Sequence, residues 1–214
     1  MRHVACVDRN SQYTDRMPER AKPLPADEIN EQVALRVAEL RRTHSLSFDA
    51  LAARSDISKG MLVAIEQGRA NPSIGTLCKL AAALRVSLAE LLAEGPQTSN
   101  RVQIVPADRA KVLWQGPKGG LATLTVGSSG PGMLELWEWT MCPGEKFQSK
   151  GHPNGTVELL SVKEGTLLLE VDGVEHLVTA QHRAVAMTDR PHAYACHGVR
   201  RTRFLMVVHE PDAA

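Results

Sequence analysis

No stretch of the 214-residue chain approaches the ~20 consecutive apolar residues that a membrane-spanning helix requires. Residues 1–28 also lack the apolar core of a secretory signal, so a cytoplasmic location with no membrane partner is expected. Cysteine is scarce: Cys6, Cys78, Cys142 and Cys196 are scattered and form no CxxC pair. That excludes a disulfide framework and a four-cysteine zinc site, and leaves small buried hydrophobes or idle thiols. Neither sign of charge is in excess, with 25 Lys and Arg against 24 Asp and Glu. No catalytic triad, phosphate-cradling loop or dinucleotide fingerprint is present, and no enzyme activity is expected.

What is there divides into regimes. Residues 1–25 are polar and punctuated by Pro18, Pro23 and Pro25, and read as a disordered arm. Residues 26–93 are rich in Ala and Leu at helical spacing. The run Glu94-Gly95-Pro96-Gln97-Thr98-Ser99-Asn100 is dense in turn formers, which makes 94–101 a linker. From 102 to 211 glycines, short β-prone runs and most of the aromatics take over. The expected fold is α + β in two domains, a five-helix bundle followed by an antiparallel β-sandwich or barrel.

The bundle is placed by its caps. Ile29, Val33, Val37 and Leu40 lie on one helical face, capped by Asp27 or the preceding loop and ending at Arg41-Arg42, where cations suit the helix dipole. Ser47 caps a second helix carrying Leu51 and Ala52. Ser58 caps a third with Met61, Leu62 and Ile65 inward, ended by Gly68. Asn71-Pro72-Ser73 opens a fourth with Leu77, Leu80, Ala81 and Leu84. Ser87-Leu88-Ala89-Glu90 is a capping box for a fifth. The second and third helices, joined by a short turn, form a helix-turn-helix.

Leu51-Ala52, Ile57-Ser58, Ile65-Glu66-x-Gly68, Asn71-Pro72-Ser73, Leu77 and Leu84 resemble the lambda-repressor/Cro (XRE) class of DNA-binding regulators over about 60 contiguous residues. The resemblance implies that the third helix enters the major groove of double-stranded DNA. Its exposed positions would be Ser58, Lys59, Gly60, Val63 and Ala64. Lys59 is the strong donor to guanine, and Val63 and Ala64 can meet thymine methyls. Ser47, Arg69 and Asn71 are assigned to phosphates. Eight basic residues in 26–93 face eight acidic ones, so the domain is neutral overall.

In the second block, short β-prone runs start at Val102–Val105 and continue to Arg203–His209, and Asp172-Gly173 marks a two-residue hairpin. The segment GEKFQSKGHPNGTVELLSVKEG resembles the first motif of the cupin, a small jelly-roll barrel, and Pro191-His192 fits its second motif. In metal-binding cupins two histidines and a glutamate of the first motif converge with a histidine of the second. His152, Glu158 and His192 occupy three of those places, while Lys150 stands for the missing histidine. Ala180-Gln181 replaces the usual Gly-Asp, and Cys196 the usual Asn.

Two imidazoles and a carboxylate can hold a divalent metal ion with open positions. A protonated Lys150 in the same site would repel a cation and attract an anionic effector; pointing outward, it would leave the metal reading intact. A metal site, a metal-free effector pocket and a structural role stay open. Cys196 is a soft ligand, a redox-sensitive thiol or packing. Trp137, Trp139 and Tyr194 complete the candidate pocket as flat walls, or belong to ordinary barrel core. The combined expectation is a homodimeric transcriptional regulator whose barrel senses a small-molecule effector. The alternatives are a cupin dioxygenase or isomerase with an appended DNA-binding domain, and a barrel that serves only to dimerise.

Overall fold

The computed structural model describes residues 26–93, 101–128 and 132–211, with side chains described from residue 29 onward. The proposed arm, most of the linker and Cys6 lie outside the described residues. The helices are α1 (Ala26–Thr43), α2 (Phe48–Ser55), α3 (Lys59–Glu66), α4 (Ile74–Leu84) and α5 (Leu88–Leu91). Each of the last four starts where a serine stops extended backbone. Ser47, Ser58, Ser73 and Ser87 accept from the N–H of Ala50, Met61, Thr76 and Glu90 at 3.0–3.2 Å. Asp56, in the left-handed region at φ 51°, closes α2 and makes the turn into α3.

The core of the bundle is Val33 and Val37 of α1, Leu51 of α2, Leu62 and Ile65 of α3, Leu77, Leu80 and Leu84 of α4, and Leu88 and Leu91 of α5, all at most 3% exposed. Arg41 adds a polar clamp. Its Nε and Nη2 bind the Glu66 carboxylate at 2.6 and 2.9 Å, and its guanidinium lies 4.1 Å over the Phe48 ring. Met61 departs from expectation: it is 43% exposed, because one turn of α3 cannot bury both neighbours Met61 and Leu62 against α1.

After a 3₁₀ turn at Ala107–Arg109 the described residues form ten strands: β1 (Lys111–Gln115), β2 (Leu121–Gly127), β3 (Met133–Met141), β4 (Lys146–Ser149), β5 (Val157–Glu164), β6 (Thr166–Val171), β7 (Val174–Thr179), β8 (Arg183–Met187), β9 (His192–Cys196) and β10 (Thr202–Glu210). They form a six-stranded sheet, β1-β2-β3-β10-β5-β8, and a four-stranded sheet, β4-β9-β6-β7, with every pairing antiparallel. The Val102–Val105 strand does not form. Val102 and Ile104 are 74% and 88% exposed, so this run has β propensity but no sheet edge to receive it. Two strands escaped sequence reading: β4 has four residues and a single apolar one, too few to reveal a period, and β9 is buried at every position and so does not alternate.

The domains are joined through α5. Ser87 Oγ donates to the Ser128 carbonyl, and the Ala89 N–H donates to Glu135 Oε1 at 3.3 Å. Gly127 is required here: a Cβ at that position would stand 2.5 Å from Ala89 Cβ. Among the described residues no helix is long and apolar enough to cross a membrane.

Candidate functional site

The inward phase of β3 carries Met133, Glu135, Trp137, Trp139 and Met141, all buried. The first four of these, with Glu158 of β5, His192 and Tyr194 of β9 and Met206 and Val208 of β10, enclose a chamber of about 30 Å³ inside the barrel. His152 enters it from the loop before β5, held by its backbone N–H on the Thr188 carbonyl at 2.9 Å. Six of the seven expected effector residues (His152, Glu158, His192, Trp137, Trp139 and Tyr194) thus line one space. Lys150 does not. It is exposed on the rim, near enough to Asp56 of the bundle to help hold that carboxyl below its usual range, after Lys79.

His152 Nε2, Glu158 Oε1 and His192 Nε2 converge, with separations from Oε1 of 3.5 and 3.8 Å. His192 Nδ1 lies 2.9 Å from the Arg190 carbonyl, which can only accept; a neutral ring therefore carries its proton on Nδ1 and turns a bare Nε2 inward. Burial lowers the His192 pKa, against the raising effect of Glu158, and so favours that neutral form. Glu158 is fully buried; Oε2 accepts from the Tyr194 hydroxyl, while Oε1 and His192 Nε2 have no hydrogen-bond partner. Two buried, unsatisfied lone pairs aimed at one point would be costly in an ordinary core. They are what a divalent cation needs, and the carbonyl behind His192 and the hydroxyl behind Glu158 are the outer partners that orient such ligands. The donor set therefore fits a metal ion.

The chamber is not closed by the barrel alone. Ile74, Gly75 and Cys78 of α4 line it from the helix-turn-helix domain. The same three residues, with Phe147, Ser149 and His152, also line a larger cleft of about 980 Å³ between the barrel rim and the α2–α3–α4 side of the bundle. Burial, then the carboxylates of Glu135, Glu210 and Glu158, push the Cys78 thiol well above its usual range. Glu135 was not expected. Burial raises its pKa to about 7 against the lowering effect of donors from Trp137 Nε1, at 3.0 Å, and Ala89. The sequence did hold a signal for it: Glu135 is a charge on the apolar phase of a strand otherwise alternating as MLELWEWTM. No local pattern could have found Ile74, Gly75 or Cys78, which reach the chamber only through domain packing.

Cys196 is packing. Its thiol donates to the Arg200 carbonyl and accepts from the Thr202 hydroxyl, outside the residues that line the chamber.

On the bundle, Lys59, Gly60, Arg69 and Asn71 are exposed, and Val63 and Ala64 are half-buried on the same outer side of α3. Lys59 Nζ rests 2.9 Å from the exposed Asp49 carboxylate, an easily released partner. Ser47 and Ser58 use their oxygens as caps, which leaves each O–H able to donate to a phosphate. Arg41 with Glu66 and Lys79 with Asp56 are tied internally, while Arg42, Arg54, Arg69 and Arg85 are exposed.

A family model described as helix-turn-helix matches residues 37–91, and one described as cupin domain matches residues 137–208. The HTH-type transcriptional regulator SutR of Escherichia coli is 26% identical over 173 residues, covering 81% of this chain and 92% of that protein. An uncharacterized HTH-type transcriptional regulator of Sinorhizobium fredii, y4dJ, is 38% identical over 71 residues, 33% of this chain and 92% of its own length. The solved structure of an HTH_3 family transcriptional regulator from Vibrio cholerae aligns with a TM-score of 0.65 at 27% identity, covering 87% of this chain and 99% of that one.

Proposed function

Since the chain belongs to the HTH-type transcriptional regulators, with a cupin domain behind its DNA-binding domain, we propose that the barrel senses a small effector and signals through direct contact with α4. The observation that carries this reading is the shared wall. Ile74, Gly75 and Cys78 close the chamber from the domain that holds the recognition helix. A ligand that binds the chamber or its mouth thereby has different contacts when α4 is docked and when it is not, the differential affinity that coupling requires.

His152, Glu158 and His192 would hold a divalent ion, which when bound would supply open positions for an oxygen or nitrogen of the effector. The rest is done by this chain. Tyr194 and Arg190 fix the ligand orientations, and Trp137, Trp139 and Phe147 exclude water. With α4 in place the chamber of about 30 Å³ has room for an ion and water, not for an organic molecule beside it. An organic effector therefore occupies the cleft at the mouth and bears on α4. That favours a sensor over a catalyst with an enclosed substrate. The protein acts as a homodimer in the cytoplasm, with each α3 reading one half-site about 10 bp from its mate.

The test begins with a target selected from genomic fragments. Its affinity is then measured with added Mn²⁺, Zn²⁺ or Fe²⁺ and with chelator. Metal should change the affinity of the native protein, whereas His152→Ala and Glu158→Ala should bind the same target without responding. A response that survives in both variants would overturn the sensor site. Failure to enrich any sequence would overturn target-specific DNA binding itself.

A further inference from the structure

We infer that the outer face of the six-stranded sheet is the surface on which two copies of this chain associate, packed sheet on sheet about an axis parallel to the strands. This rests on the homodimer reading above and specifies its interface. The strand registers place twelve outward positions in three rows across β8, β5, β10 and β3. The first row is Met187, Val157, His209 and Leu134; the second is Val185, Leu159, Val207 and Leu136; the third is Arg183, Ser161, Leu205 and Glu138.

Eight of the twelve are aliphatic, where an outward sheet face in water should alternate to polar residues. Val185 is 72% exposed, Met187 62%, and Leu134 and Leu159 50% each. Together the eight aliphatic positions form one patch across four strands, at the upper end of the ~300–600 Å² that the largest apolar patch of a monomer reaches and on the scale of the ~800 Å² per partner of a standard interface.

A second copy is selected by the charges and by the axis. A two-fold axis between β5 and β10, parallel to the strands, lays β8 of one copy over β3 of the other and keeps each row on its own row. Arg183 then meets Glu138 of the second copy, and by symmetry the pair forms twice, at the only charged positions of the second and third rows. Met187 meets Leu134, Val185 meets Leu136 and Leu159 meets Val207. The same axis leaves the two ends of the sheet distinct. The first row lies at the end of β3 where Ser128 and Glu135 receive Ser87 and Ala89 at the start of α5, so both DNA-binding domains emerge at one end of the dimer. That arrangement presents both to one duplex, whereas an axis across the strands would send them to opposite ends.

The experiment is a charge swap on the full-length protein, read by analytical ultracentrifugation over a concentration series. Arg183 and Glu138 are both exposed, so the variants should fold, as circular dichroism would verify. Arg183→Glu and Glu138→Arg should each weaken the dimer about tenfold or more through like-charge contacts, and the double variant should recover most of that loss. Leu159→Asp should give a folded monomer. A dimer indifferent to all four variants would overturn this face while leaving the homodimer reading intact. Wild-type protein that sediments as a monomer at every concentration, alone and on DNA, would overturn both. So would a copy number above two that these variants do not alter.

Discussion

Glu135 offers a sharp test of how the domains are coupled, through its neutral replacement Glu135→Gln. The carboxyl is 2% exposed, and its pKa rises from 4.5 to about 7 chiefly through burial. The folded protein thus keeps a proton across the window from pH 4.5 to 7 in which the unfolded chain has lost it. Stability must fall as pH rises through that window, and the contribution becomes flat above it. At 1.36 kcal/mol per pH unit the full cost above pH 7 is about 3 kcal/mol, of which about 2 kcal/mol develops between pH 5.5 and 8.5. Glutamine retains an acceptor and cannot ionise, so the stability of the variant relative to the wild type should rise by about 2 kcal/mol between pH 5.5 and pH 8.5.

Denaturant unfolding followed by tryptophan emission is the suitable assay, because Trp114, Trp137 and Trp139 all lie in the barrel and Trp137 donates to Glu135 directly. Glu210, also raised by burial, slopes the same way, which is why the variant must be subtracted from the wild type at each pH. Native-state emission should titrate near pH 7 in the wild type alone. Parallel stability curves, with a constant offset at every pH, would refute the reasoning.

Three further outcomes are expected. Lys59→Ala should leave stability within about 0.5 kcal/mol, since its partner Asp49 is exposed, yet cost about 1–3 kcal/mol of discrimination at one base pair. A competition assay showing equal loss on every sequence would reassign Lys59 to a phosphate. Gly127→Ala drives a Cβ to 2.5 Å from Ala89 Cβ and should destabilise by about 1–3 kcal/mol in thermal unfolding, with Ala89→Gly restoring most of it; absence of rescue would mean the clash is relieved elsewhere. Gln181, at φ 70° where the cupin pattern places a flexible Gly-Asp pair, should gain about 0.5–1 kcal/mol on replacement by glycine, and an unchanged melting temperature would show that no strain is held there.

Legibility followed the range of the interactions. Serine caps, the αL turn at Asp56 and the heptad-like spacing of α1 are set within four residues, and every expected helix formed. Val102–Val105 failed and β4 and β9 went unnoticed because a strand exists only with its neighbour, and the neighbour lies tens of residues away. Met61 was misassigned because inward and outward positions on a two-turn helix depend on what packs against it.

The sequence alone pointed to two domains, to a helix-turn-helix in the first through its local caps, and to His152, Glu158 and His192 as one group through the resemblance to the cupin motifs. Only the tertiary structure decided that Lys150 stands outside the chamber, that Glu135 is a buried carboxyl shared with α5, and that α4 lines the chamber from the other domain. Each of those depends on packing between segments far apart in the chain, where burial sets the electrostatics and no residue carries the information by itself.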